Sequence, residues 1–310
     1  MILSYGSIAY DLVMDFDGVF ADHILPDNIH KLSVSFPIKN LCRNFGGTGA
    51  GVAYALALHG YRPRLVGQVG GDFNAYRKYL KKLGINDRYV RVFPDEQTSQ
   101  GYIMADRRNN QIAAFYHGAM RKKINPWPSE MFQVLRWATV SAAHPGDMIS
   151  LCKEFKKHQI PYLFDPGQAL PVLAHDGFRA AVENAKIFSA NDYEWELTSR
   201  KLNRRQDQLL RADQIGIKTL GEKGSLITHR GNKIRIPAVS PERALDPTGA
   251  GDVYRAGFLH GLISNWDLKK SARWAATAAS FAVENRGAQS YHFRLADVKK
   301  RYEEAFGKLG

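Results

Sequence analysis

The chain has 310 residues, enough for one large α/β domain, and its 43 basic against 30 acidic residues give a formal net charge of +13. With 45 % hydrophobic and 24 % charged residues the composition is globular. No apolar run approaches the ~18 residues that a membrane-spanning helix needs. The basic residues form small, separated groups (Arg107-Arg108, Arg121 to Lys123, Arg204-Arg205, Lys299 to Arg301) with no nucleic-acid module signature, so nucleic acid is not the expected partner.

Residues 1–9 read as a first strand: the N-terminus lacks a basic start and meets Asp11 and Asp15 early, unlike a signal peptide. Residues 48–59 read as a helix opened by glycines and closed at Gly60, 63–69 as a strand, and 72–83 as a helix with Asp72 as its N-cap. Strand patterns recur at 138–143, 160–165, 186–190, 215–220, 225–229 and 233–239. Helical patterns lie between them at 147–158, 176–184, 192–200 and 206–212. Two more helices follow Asp252, the second at about 268–284 behind an Asp267 N-cap. This alternation predicts a mainly parallel sheet with helices on both faces. Residues 11–44 and 88–118 break the rhythm with short alternating segments and read as a small antiparallel sheet, a lid at one end of a single 1–310 domain. The two cysteines, Cys42 and Cys152, read as free thiols of a reducing cytoplasm.

Chemistry concentrates in DPTGAGDVYRAGF, residues 246–258. Gly249, Ala250 and Gly251 leave backbone N–H groups open at a helix N-terminus, which favours an anion. A carboxylate next to such a cradle, Asp252, makes sense as the base that takes a proton from a hydroxyl attacking a phosphoryl group. Asn191 and Glu194 follow an apolar strand, where ligands of open α/β sheets gather; Asn191 suits phosphate oxygens and Glu194 the waters of magnesium, although a polar helix start would look the same. TLGEKG, residues 219–224, offers Thr219, Gly221 and Gly224 to nucleotide phosphates or forms a simple turn. The glycine run 46–51 opens a helix and suits close approach of a polyol, while Asp11 lies where it can accept from a pair of hydroxyls. His117, His144 and Cys152 show no metal or nucleophile spacing and read as peripheral.

Taken together, DPTGAGDVYRAGF, GGTGAGVAYALALHG and VGQVGGDF resemble the two signatures of the PfkB/ribokinase family of carbohydrate and nucleoside kinases. GSIAYDLVMDF, LPDNIHKLSVSF, NQIAAFYHGAM, FDPGQAL and NDYEWEL are similar to segments of its bacterial adenosine kinase branch. The resemblance implies a three-layer α/β/α ribokinase-like fold with a β lid. It implies ATP-dependent phosphorylation of a hydroxymethyl group, the 5′-hydroxyl of adenosine or a related purine nucleoside, in purine salvage. Magnesium and K+ are the expected ions. Asp252 would be the base and Gly249 to Gly251 the anion hole. Asp11 and Gly47 would hold ribose hydroxyls, with Ser7, Ser35, Phe115, Met120 and Gln168 around the nucleoside. Asn191, Glu194, Thr219, Gly221 and Gly224 would serve ATP and magnesium, and Asp246 and Thr248 a monovalent-cation loop near Gly287. The chain departs from the family at Gly51, where the family generally places an Asn that helps hold sugar hydroxyls. Gly101 and Ala169 are small for an adenosine site and predict a roomier pocket. Two other readings stay open: a sugar or sugar-phosphate kinase using Arg107, Arg108 or Lys123, and a non-catalytic sensor on the same fold. An exposed lid edge would allow a homodimer.

Overall fold

The computed structural model describes residues 1–24, 31, 33–108 and 110–309. Its spine is a nine-stranded sheet. In chain order the strands are β1 (Ile2–Tyr5), β4 (Arg64–Gly70), β5 (Asn86–Phe93), β8 (Trp137–Val140), β9 (Tyr162–Phe164), β10 (Ile187–Asn191), β11 (Ile215–Thr219), β12 (Ser225–His229) and β13 (Asn232–Ile236). A second, four-stranded sheet holds β2 (Ala9–Phe16), β3 (Ile38–Gly46), β6 (Ser99–Ala105) and β7 (Gln111–Tyr116). The spatial order of the large sheet is β13-β12-β11-β10-β9-β8-β1-β4-β5. It is parallel from β11 to β5 and antiparallel only in β11-β12-β13.

Strand residues alternate between two apolar layers, as the two-residue pleat requires. Leu3, Tyr5, Phe164 and Phe188 enter the core beneath α3 (Pro145–Lys157), α4 (His175–Asn184) and α5 (Asp192–Leu202). Ile2, Leu163, Ile187 and Ile217 enter the cores of the other face, under α6 (Ala250–Ile263), α7 (Leu268–Val283) and α8 (Leu295–Phe306). On that same side α1 (Thr48–Leu58) packs with α2 (Asn74–Lys82) around Tyr76 and Leu80. The result is the three-layer ribokinase-like architecture with a mainly parallel sheet.

Several expectations change. The strand predicted for 1–9 is two strands, because the chain leaves the large sheet at Gly6: Ser7 N–H donates to the Ala142 carbonyl, and the Ser7 carbonyl accepts from Gly49 and Ala50. The chain then enters the small sheet at Ala9, so one nine-residue stretch serves both sheets. The small sheet is mixed rather than antiparallel: β2 pairs antiparallel with β3 but parallel with β6. Its second contribution also starts later than residue 88, since β5 pairs parallel with β4 at the edge of the large sheet. Asp72 does not cap α2; its carboxylate accepts from the backbone and hydroxyl of Thr98 and pairs with Arg43. A tertiary partner wins over the local cap, and α2 starts at Asn74. The helix predicted for 206–212 shrinks to a single turn, Gln206–Gln208, with no buried residue, since so short a helix needs packing to hold it. α8 carries no conventional N-cap residue, which hides its start in the sequence; Val298 and Tyr302 are its buried face.

Candidate active site

The predicted base lies at the start of α6, which opens directly from the 246–249 turn. Gly249 is the N-cap, at φ 84°, and a Cβ there would sit 2.7 Å from the Ala288 carbonyl oxygen, so the position needs glycine on both counts. Asp246 holds the turn shut: one carboxylate oxygen accepts from Thr248 N–H and hydroxyl, the other from Gly287 N–H. Of the three cradle residues, Ala250 gives its N–H to the Pro247 carbonyl. Among the described residues the N–H groups of Gly249 and Gly251 have no partner, and Gly251 is exposed with open space above its Cα. The anion-binding capacity of the cradle therefore rests on Gly249, Gly251 and the dipole of a helix of 14 residues.

Asp252 is buried one turn into that helix. Burial pushes its carboxyl up to about 6, a rise that Arg255 opposes and Asp165 and Asp11 reinforce. Arg255, one turn further along α6 and also buried, bridges Asp252 and Asp165. Asp165 follows β9, and its carboxylate also accepts from the Ser189 hydroxyl on β10. The strand ends of the large sheet thus reach the base through one guanidinium.

Asp11 approaches from the small sheet. It stands between Asn44 on β3 and Gly101 on β6, and its carboxylate lies over two glycines: a Cβ at Gly46 would come within 2.1 Å of it and one at Gly101 within 2.9 Å. Gly101 thus makes room for Asp11. Burial and the charge of Asp246 raise the Asp11 carboxyl to about 6. Phe115 is paired opposite Gly101 on β7, with 42 % of its surface exposed, so its ring is available beside Asp11. Gly47 turns the chain at φ 91° into α1.

The remaining predicted residues divide. The Ser7 hydroxyl accepts from Thr48 N–H and pairs with the Thr48 hydroxyl, so it already serves the start of α1. Met120 and Ala169 are buried in the core beneath α3 to α5 rather than lining open space. Gln168 is exposed on the turn after Asp165, and Ser35 is exposed with no hydrogen bond to another predicted residue. Asn191 and Glu194 form a reciprocal cap of α5: Asn191 Oδ1 accepts from Glu194 N–H, and Glu194 Oε2 accepts from Asn191 N–H. The second Glu194 oxygen has no partner among the described residues, and burial together with Asp165 raises its carboxyl. A half-desolvated carboxylate with a free oxygen beside a second acid fits a hydrated divalent cation, which binds through few carboxylates and keeps several waters. Thr219 ends β11; Gly221 and Gly224 follow at positive φ, Gly221 in open space and Gly224 against the β13 backbone.

Sequence reasoning assigned no role to Arg255 or Asp165. Both stand inside quoted motifs, and the three-residue step from Asp252 to Arg255 would have put the two on one helix face. The pairing with Asp165 joins residues 90 apart and has no local signal.

A buried carboxylate beside open amides at a helix N-terminus, with further carboxylates at strand ends around it, suits a phosphotransferase acting on an alcohol group. The chain belongs to the pfkB family of carbohydrate kinases, whose profile matches residues 1–293. It is 34 % identical over 270 residues to the nucleoside kinase of Methanocaldococcus jannaschii, covering 85 % of this chain and 88 % of that one. The nucleoside kinase of Methanothermobacter thermautotrophicus is 32 % identical over 311 residues, covering 99 % and 96 %. Among solved structures, the Burkholderia thailandensis nucleoside kinase in complex with ADP-inosine superposes with a TM-score of 0.88 at 36 % identity, covering 99 % of this chain and 96 % of that one. No helix among the described residues is long and apolar enough to cross a membrane.

Proposed function

We propose that this enzyme transfers the γ-phosphoryl group of ATP to the 5′-hydroxyl of a purine nucleoside, adenosine or a close analogue, in purine salvage in the cytoplasm. The observation that carries the reading is the pairing of Asp252, a buried carboxylate raised to about 6 beside the open amides of α6, with Asp11 entering from the small sheet. Asp11 and Gly47 hold the ribose, Phe115 stacks on the base, and Gln168 and Ser35 approach its edge. Ser7 and Met120 act from below, through the α1 start and the core. The small sheet is the lid: closing over the sugar, it excludes water that would otherwise compete for the phosphoryl group.

ATP lies along Asn191, Thr219, Gly221 and Gly224, with its γ-phosphoryl group at Gly249 and Gly251. Ala250 shapes the turn more than it donates, since its N–H is already bonded. Magnesium, held through water by Glu194, would supply neutralising charge on the phosphates. A monovalent cation such as K+ would draw on the Asp246–Thr248 loop, whose side chains also brace the cradle. In the transfer, Asp252 accepts the hydroxyl proton as the new O–P bond forms, and the amides stabilise the charge that develops. Gly51 can offer the sugar its backbone alone, since a side chain there would collide with Asp252.

A sugar-phosphate acceptor is disfavoured by position. Gly101 faces Asp11, whereas Arg107 lies beyond the end of β6 at Ala105. Arg107 is moreover tied to Asp17 there. The exposed edge strands of the small sheet, with Ile38 and Leu41 on β3 and Ile112 on β7, support a homodimer through the lid. The test is an ADP-release screen of nucleosides against free sugars and sugar phosphates with ATP. Purine nucleosides should turn over and yield the 5′-monophosphate; turnover confined to a sugar would replace this reading.

A further inference from the structure

We propose that Arg255 is a positioning residue for the reaction: pinned by Asp165, it grips one carboxylate oxygen of Asp252 and so aims the other at the acceptor hydroxyl. The inference rests on the proposed role of Asp252. Arg255 reaches Oδ1 of Asp252 with one guanidinium nitrogen and Oδ2 of Asp165 with another. All three residues are buried, with 8 to 10 % of their side-chain surface exposed, so the ion pairs are poorly screened by water. Asp165 is itself fixed: its N–H donates to the Val140 carbonyl, and its Oδ2 accepts from Ser189. The guanidinium is planar and cannot rotate away from one carboxylate while holding the other. Oδ2 of Asp252 has no hydrogen-bond partner among the described residues and leans towards α1, where a Cβ on Gly51 would stand 2.1 Å from it. Glycine at 51 leaves that oxygen its space, and Arg255 keeps the carboxylate from swinging within it. This is the geometry of a base with one oxygen for orientation and one for the proton.

The charged groups that act on Asp252 come from three places, α6, the end of β9 and β2. Arg255 on α6 opposes its protonation. Asp165 after β9 and Asp11 on β2 favour it, and Asp252 in turn raises the hydroxyl of Tyr291. Glu194 on α5 faces Asp165 and Arg255. Removing the Arg255 charge should therefore move the acid limb of the pH–kcat profile upward. Removing the Asp165 charge should move it downward, because the same guanidinium then serves Asp252 alone.

The experiment measures kcat, both KM values and the pH profile for Arg255→Gln, Arg255→Lys and Asp165→Asn, in the full enzyme with ATP and a nucleoside that it turns over. For Arg255→Gln we expect kcat to fall about 100-fold, within the range that general bases contribute. The nucleoside KM should stay within about threefold and the acid limb rise by about one pH unit. Arg255→Lys should recover at least about tenfold of the lost kcat, since the charge remains. Asp165→Asn should lower the limb. An Arg255→Gln enzyme with unchanged kcat and limb overturns the inference. So does a defect confined to the ATP KM, which would make Arg255 a phosphate contact. If Arg255→Gln does not fold, Arg255→Lys and Asp165→Asn carry the test, and two unchanged acid limbs overturn it. Failure of the underlying reading has a different signature: an Asp252→Asn enzyme that still turns over.

Discussion

The two sheets meet at the site with opposite constructions. On the large-sheet side Asp252 is buried and linked through Arg255 to Asp165 and Ser189, and the 246–249 turn is laced to Gly287. On the small-sheet side Asp11 stands on a strand flanked by glycines, next to an exposed Phe115, with β3 and β7 open along their edges. The proposed chemistry thus falls to the buried, cross-linked side, and the proposed acceptor contact to the more exposed side. An atom that takes a proton must be held to fractions of an ångström, whereas a lid must open to admit its ligand. If this division is right, damage on the two sides should show in different kinetic constants.

The largest effect is expected at the base. Asp252→Asn keeps the shape but cannot accept a proton, and kcat should fall by at least about 1000-fold, worth about 4 kcal/mol of transition-state stabilisation. Nucleoside affinity, read by calorimetry, should change little. A variant with a tenth of normal turnover would end the assignment. Next comes the scaffold below it. Ile217 is fully buried in the middle of β11, and Ile217→Ala should cost about 2–5 kcal/mol in a denaturant titration, with the residual folded enzyme keeping its KM values.

Asp11 should behave differently from Asp252 although both carboxyls are raised to about 6. Asp11→Asn should raise the nucleoside KM about 10-fold, roughly 1.4 kcal/mol, with kcat reduced less. The pH profile sharpens the contrast. Both carboxyls are raised to about 6, so kcat/KM should fall as pH drops through 6, where the ionised forms are lost. The two interact, so the limb belongs to the pair. Because Asp11 is one cause of the rise at Asp252, Asp11→Asn should shift the limb to lower pH and make it shallower. A limb whose midpoint stays in place would mean that the two carboxyls do not communicate.

Much of this was legible in the chain and some was not, for reasons that follow the same division. The parallel sheet was readable because fully buried strands such as β10 and β11 are short apolar runs between helical patterns. The start of α6 was readable because a run of small residues ahead of an apolar stretch opens a helix. The break at Gly6 was hidden, since residues 1–9 look alike on both sides of the hinge and only the bonds of Ser7 to Ala142, Gly49 and Ala50 divide them. The parallel pairing of β2 with β6 joins residues 90 apart in the chain, as Ala9 with Ser99, and leaves no local pattern. β5 was misplaced because its alternate exposure is that of an edge strand, the same signature as a lid strand. Asn191 and Glu194 show a limit of another kind: the spacing that suits a nucleotide also makes a helix cap, and the structure shows the cap.

The smallest effect is expected at the outer edge of the small sheet. Leu41 is 58 % exposed in the middle of β3, where nothing in the fold of one chain requires a leucine. Leu41→Asp should therefore leave monomer stability within about 0.5 kcal/mol, as surface substitutions generally do. If the lid edge pairs with a second copy, the same change places like charges opposite one another across the joined strands, and light scattering should show the mass fall from dimer to monomer. Turnover should persist if, as proposed, the atoms that transfer the phosphoryl group are fastened to the large sheet. A clear loss of monomer stability would show instead that the small sheet draws on β3 for its own integrity, and the contrast between a fastened chemical half and a lightly built acceptor half would have to be redrawn at β2 rather than at the sheet boundary.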